Sequence, residues 1–145
     1  MSRVEDFLTS VEEKEVVQAI IEAENSTSGE IRVHLEAHTR LEAMERAKEV
    51  FHQLKMDNTK DNNGVLIYVA VNDRKFAICG DKGIDNVVPK GFWNTTKDTI
   101  QSHFKKGEFK QGLVEGILKA GHELKVHFPW QQDDKNELSD EISKG

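Results

Sequence analysis

The residues of this 145-residue sequence best suited to chemistry are five acids: Glu30, Asp57, Asp61, Asp81 and Asp85. They fall in three short polar segments, residues 26–30, 57–64 and 80–85, beside Asn58, Asn62 and Asn63. Carboxylates mixed with amide and main-chain carbonyl oxygens form a hard donor set, which suits Ca²⁺ or Mg²⁺ and not zinc or copper. The spacing is not that of an EF-hand, whose loop needs alternating ligands, Gly at its sixth position and Glu at its twelfth.

Other chemistries lack their residues. His122 and His127 stand five apart on one helical stretch. Zinc ligation from a helix face uses a separation of four, about 400° of rotation, whereas five gives about 500°. His34 and His38 sit roughly 13 Å apart along an extended chain, too far to share an ion. Cys79 is the single cysteine, so neither a disulfide framework nor a cysteine zinc cluster forms within the chain. It reads as a small core residue. The sequence holds no G-x-S-x-G, no G-x-x-x-x-G-K-[ST] and no G-x-G-x-x-G. Gly80-Asp81-Lys82-Gly83 is a weak, Gly-flanked signal for an anion.

Whether the three acidic segments meet depends on the elements that carry them. Ser10 and Glu13 have capping-box spacing ahead of a helix with Val16, Val17, Ile20 and Ile21 on one face. Phe7 and Leu8, just before the cap, would pack back onto that face. Residues 30–37 alternate, with Ile31, Val33, Leu35 and Ala37 to one side and Glu30, Arg32, His34 and Glu36 to the other. That pattern predicts a strand with one buried face, at a sheet edge or covered on one side. Thr39 and Glu42 form a second capping box, opening a helix with Met44, Ala47, Val50, Phe51 and Leu54 inward.

Residues 65–71 are continuously apolar, as in a strand covered on both faces. Asn72-Asp73 marks a hairpin turn into a strand over 75–80. A loop at 80–91 leads to a helix over 92–106 with Trp93, Ile100 and Phe104 as anchors. A last helix, about 108–126, turns Phe109, Leu113, Ile117, Ala120 and Leu124 inward, and Gly112, Gly116 and Gly121 allow close approach of another backbone. The order α-β-α-β-β-α-α predicts a three-layer α/β/α sandwich around a small mixed sheet, one domain over residues 1–128.

Strand direction then gathers the acids. The first two strands run parallel through a crossover, and the third returns antiparallel to the second. The start of the first, the start of the second and the end of the third therefore share one edge. With the turn centred at Asn72-Asp73, Gly64 faces Asp81, which makes Asp61 and Asp81 near neighbours. Like charges this close repel unless a cation joins them, and a metal role is the reading preferred for this pair. Asp57 and Asp85 lie a step further out and read equally well as solvated turn residues. Glu30 opens the first strand.

Composition bounds the partners. The chain carries 26 acidic and 20 basic side chains, a net charge of −6, with no basic run in sequence. A general nucleic-acid or membrane-surface binder needs such a basic face. Residues 133–145 hold five acids and two lysines, so half of the net charge sits there. Residues 129–145 are expected to be a mobile acidic tail, a solubilising end before an interaction tail. No stretch reaches the roughly 18 apolar residues of a membrane span. The first residues lack an apolar signal core, and the expected location is cytoplasmic.

At Ser28-Gly29-Glu30-Ile31-Arg32-Val33, Lys60-Asp61-Asn62-Asn63-Gly64-Val65-Leu66 and Asp73-Arg74-Lys75-Phe76 the sequence resembles the TPM domain family. That family is named for a thylakoid lumen protein, a photosystem II repair protein and a worm membrane protein. The likeness continues through Gly80-Asp81-Lys82-Gly83-Ile84 and Phe104-Lys105-Lys106-Gly107-Glu108-Phe109-Lys110-Gln111-Gly112-Leu113, and spans about Val4 to Leu124. The resemblance implies an α/β/α fold and divalent-cation binding around Asp61 and Asp81. A plant member is described as an acid phosphatase. Common bacterial members resemble secreted or membrane-tethered proteins, a pattern this sequence does not carry.

The expected function is a non-catalytic, Ca²⁺- or Mg²⁺-binding domain that meets a protein partner. The alternative is a metal-assisted phosphatase acting on phosphomonoesters. There Asp61 and Asp81 would hold the ion and Lys60 or Lys82 would neutralise developing charge. Neither a nucleophile nor a general acid is evident for it. A protein-binding domain without an ion is the third reading.

Overall fold

A computed structural model of the chain describes residues 3–59, 62–129 and 140–145. Its first helices are α1 (Arg3–Phe7) and α2 (Ser10–Glu24). The capping box that starts α2 is Thr9 with Glu12, one residue before the expected Ser10 with Glu13. The Thr9 hydroxyl accepts from the Glu12 amide at 3.1 Å, and the Glu12 carboxylate accepts from the Thr9 amide at 2.9 Å. Thr9-Ser10-Val11-Glu12-Glu13 contains the same spacing twice. The frame that buries Val16, Ala19, Ile20 and Ala23 selects between the two copies, and it leaves Ile21 exposed.

Strand β1 (Glu30–Glu36) is followed by α3 (Ala43–Gln53), a short 3-10 turn at Met56–Asn58, and β2 (Gly64–Ala70). Thr39 does not cap α3. Its amide donates to the Asp73 carboxylate at 2.7 Å and its hydroxyl accepts from the Leu41 amide, so it ties the loop to the hairpin. Helix α3 buries Ala47, Val50 and Phe51 as expected, while Met44 is exposed. Strand β3 (Lys75–Gly80) returns antiparallel to β2, pairing Val65 with Gly80 and Ala70 with Lys75, so the turn is centred between Asn72 and Asp73.

Every residue of β2 is buried. Its Leu66, Tyr68 and Ala70 pack with α3, and its Val65, Ile67 and Val69 pack with residues of α2 and the late helices. Those late helices are α5 (Asn94–Lys105) and α6 (Phe109–His127). Between them and β3, one turn of helix, α4 (Lys82–Asp85), interrupts the expected loop. The three-layer α/β/α arrangement stands as read from the pattern. The glycines of α6 are a condition of it. A Cβ on Gly116 would lie 2.5 Å from Cγ1 of Ile100, and one on Gly121 would lie 2.7 Å from Cβ of Ala23.

The sheet order is β3-β2-β1-β4, where β4 (Ser143–Lys144) pairs parallel to His34 and Leu35 of β1. The Gly145 amide donates to the Leu35 carbonyl at 2.8 Å, and the Lys144 ammonium lies 2.6 Å from a Glu13 carboxylate oxygen. The end of the segment expected to be a mobile tail, 129–145, is therefore part of the sheet. Residues 130–139 lie outside the described residues. β1 is an interior strand and not an edge. Its supposed water-facing side is buried too, with Glu30, His34 and Glu36 between 3% and 6% exposed.

Candidate functional site

Register builds the site. Glu30 pairs with Gly64, and the Asp81 amide donates to the Gly64 carbonyl at 2.9 Å, so the three residues form one row across the sheet. The side-chain period of two places Glu30 and Asp81 on the α3 face, with a glycine between them. Two strand spacings separate their backbones by about 10 Å. Asn63, 2% exposed, stitches the first two segments together. Its side-chain amide donates to the Ser28 carbonyl at 3.1 Å, and its own carbonyl accepts from the Glu30 amide at 3.2 Å.

Asp81 is the best-placed of the five acids. One carboxylate oxygen caps α4 by accepting from the Lys82 amide at 2.7 Å. The other, Oδ2, is buried and has no hydrogen-bond partner among the described residues. Asp85 is exposed on α4, and its amide donates to the Asp81 carbonyl at 3.1 Å. The exposed Asp57 carboxylate is bonded to Nδ1 of His52 at 2.8 Å, and that bond lowers its pKa. Glu30 is buried at the head of β1. Asp61 lies outside the described residues. Among the described residues no three His, Cys, Asp or Glu side chains converge on a metal-sized point. The row joins the segments, and Asp81 aims an unmatched oxygen into the fold.

A second polar centre was not legible beforehand. On the same face, Glu36 accepts from Nε of Arg46 at 2.8 Å and from Nη2 at 3.0 Å, and also from the Tyr68 hydroxyl. Nε2 of His34 lies 3.2 Å from Glu36, and its Nδ1 lies 2.9 Å from the Ser143 hydroxyl on β4. Burial opposes ionisation of Glu36, yet the hydrogen bonds from Arg46, Tyr68 and His34 outweigh it and hold the carboxyl at about 2. Burial pushes the Tyr68 phenol up, helped by the neighbouring carboxylate, and lowers the His34 imidazole. All of these groups have partners, so the network orders β1, α3 and β4 around one charge.

Glu24, at the end of α2, is its counterpart. Burial and a hydrogen bond with Asp140 raise its pKa to about 9, against the Ile31 amide, which donates to it at 2.9 Å. Cys79 is buried in the α3-side core as expected, with its thiol pushed up to about 11 by burial. No helix among the described residues is long and apolar enough to cross a membrane.

Residues 2–123 match the TPM domain. The NMR structure of BA42 protein from the psychrophilic bacterium Bizionia argentinensis superposes with a TM-score of 0.92, at 60% identity over 100% of both chains. The N-terminal domain of a protein from P. gingivalis superposes at 0.67 with 23% identity, covering 84% of this chain and 79% of that one. The N-terminal domain of cg2496 from Corynebacterium glutamicum superposes at 0.63 with 9% identity, over 95% and 80%. These last two share the fold. No curated protein sequence matches. With most of its length matched, this chain belongs to the TPM domain family.

Proposed function

We propose that this TPM domain binds one divalent cation, Ca²⁺ or Mg²⁺, and uses the loops so ordered to meet a protein partner without catalysing a reaction. Asp81 would supply the anchoring carboxylate and Asp61 a second ligand from the 57–64 loop. Glu30, Asp57 and Asp85 are outlying candidates. The observation that carries this reading is the buried Oδ2 of Asp81, unpartnered among the described residues. A buried carboxylate oxygen left unpaired costs about 1–3 kcal/mol or more, and a hard cation removes that cost. The glycine beside it in the row, Gly64, leaves the approach clear of a side chain.

Calcium titration followed by amide NMR tests it. Resonances of residues 57–64 and 80–85 should move selectively, and Asp81→Asn should abolish the response. No movement at millimolar cation would sink the proposal. Hydrolysis of a generic phosphomonoester that is lost in both Asp61→Asn and Asp81→Asn would replace the non-catalytic reading with metal-assisted hydrolysis, with Lys82 beside the ion.

A further inference from the structure

At the end of the sheet away from the Glu30–Gly64–Asp81 row, β2 turns into β3 and Ala70 pairs with Lys75. A pocket of about 700 Å³ opens there between the turn, α1 and the end of α5. Its floor is four half-buried rings from four elements, Phe7 of α1, Phe76 of β3, Phe104 of α5 and Phe109 of α6. Phe104 lies 5.5 Å from both Phe76 and Phe109 and 6.0 Å from Phe7, and Phe7 lies 4.5 Å from Phe109. The rings pack on one another and on the core, yet each keeps part of its surface open to water. Apolar surface of that kind gains by being covered.

The charged residues that line the pocket are Arg74, Lys75, Lys105 and Asp6, all exposed. The three cations make no ion pair among the described residues. Asp73, the acid of the same turn, is taken by the Thr39 amide at 2.7 Å and by His38 at 3.2 Å. Arg74 holds a φ of +55°, where a hairpin turn ordinarily carries glycine or asparagine. On a chain of net charge −6, an apolar floor under three such cations is a local reversal of sign.

We propose that this pocket binds a small amphiphilic anion, a monocarboxylate with an aliphatic tail, as a single molecule. The tail would lie on the four rings, and the carboxylate would stand among Arg74, Lys75 and Lys105. The rings select an apolar tail and the cationic rim selects the sign of the head. The volume falls within the roughly 300–1,000 Å³ of small-molecule sites. A peptide strand is disfavoured, since Ala77, Ile78 and Cys79 are buried and the β3 edge is covered. A bilayer is disfavoured too, because none of the exposed large hydrophobic residues among those described lines the pocket. The pocket stands at the far end of the sheet from Asp81 and does not depend on the cation.

The test titrates the full ¹⁵N-labelled chain in EDTA with decanoate, kept below its micellar concentration. Amide shifts should centre on 71–76 and 104–109, and the alkyl protons should show NOEs to the rings of Phe76 and Phe104. Decyltrimethylammonium, the same tail under a positive head, should bind about tenfold more weakly. The paired variant Arg74→Glu, Lys105→Glu should weaken decanoate binding about tenfold in an otherwise unchanged spectrum. The proposal is overturned by no shifts at about 1 mM decanoate, or by shifts centred elsewhere. It is equally overturned by equal binding of the two heads, or by a response to phosphatidylglycerol vesicles without one to decanoate, which would assign the face to a membrane surface. Because EDTA is present, failure here leaves the Asp81 cation reading standing on its own titration.

Discussion

Two carboxylates with opposite environments dominate the residue scale. Glu36 is held at about 2 by its donors against a usual 4.5, while Glu24 is held at about 9 by burial and Asp140. A folded pKa below the unfolded one means the unfolded chain protonates first on acidification. Glu36 therefore stabilises fully above pH 4.5, and its contribution is lost as pH falls towards 2. Glu24 works the other way. Its contribution is whole below pH 4.5 and is lost as pH rises through 9, because the folded chain keeps a proton that the unfolded chain has released. Between roughly pH 5 and 8.5 the wild type should lose on the order of 4 kcal/mol more stability than Glu24→Gln, read by urea unfolding. Glu36→Ala should cost about 3 kcal/mol at neutral pH, since it leaves Arg46 and Tyr68 without their acceptor.

Neither role could be read from residue type. The alternation of β1 separates two faces but does not say which of them meets water. His34, Glu36 and Glu30 look like a solvated face until α3, Tyr68 and β4 close over them. The nearest signal was the mixture itself, a histidine, an arginine and two glutamates alternating on a single strand.

At the scale of elements, packing distances decide. Helix α6 approaches α5 through Gly116, where an added Cβ would fall 2.5 Å from Ile100. Gly116→Ala should destabilise by about 1–3 kcal/mol in thermal unfolding despite alanine's better helix propensity, because overpacking outweighs a gain of about 1 kcal/mol. The equivalent change at Gly107 meets no atom within 4 Å, so its cost comes from the φ of +76° alone. The three glycines of α6, the buried strand β2 and the hairpin register were all legible, because each rests on local periodicity. The cap of α2 was displaced by one residue, since Thr9 and Ser10 offer identical spacing and only burial of the Val16–Ile20 face separates them.

For the whole molecule, charge matters by placement. The total of −6 conceals a cationic margin along β3, assembled from Arg74, Lys75, Lys90, Lys97 and Lys105, which no short run of sequence displays. If Asp81 anchors a cation, saturation at about a hundred times Kd should stabilise the fold by about 2.7 kcal/mol. That corresponds to a rise in Tm of roughly 6–10 °C in calorimetry for a domain of this size. Asp81→Asn should remove the rise while leaving the pH behaviour of Glu24 intact.

By itself the sequence determined the first three strands, their directions and the hairpin register that sets Gly64 beside Asp81, while the pairing of Glu30 with Gly64 came from the folded sheet. Local alternation, turn chemistry and hydrophobic runs specify pairing without reference to distant residues. Tertiary structure alone decided which polar groups are buried, which oxygen of Asp81 lacks a partner, that Ser143–Lys144 joins the sheet, and where the cations of β3 collect. Those outcomes depend on contacts between segments far apart in the chain, such as His34 with Ser143, and no local pattern encodes them.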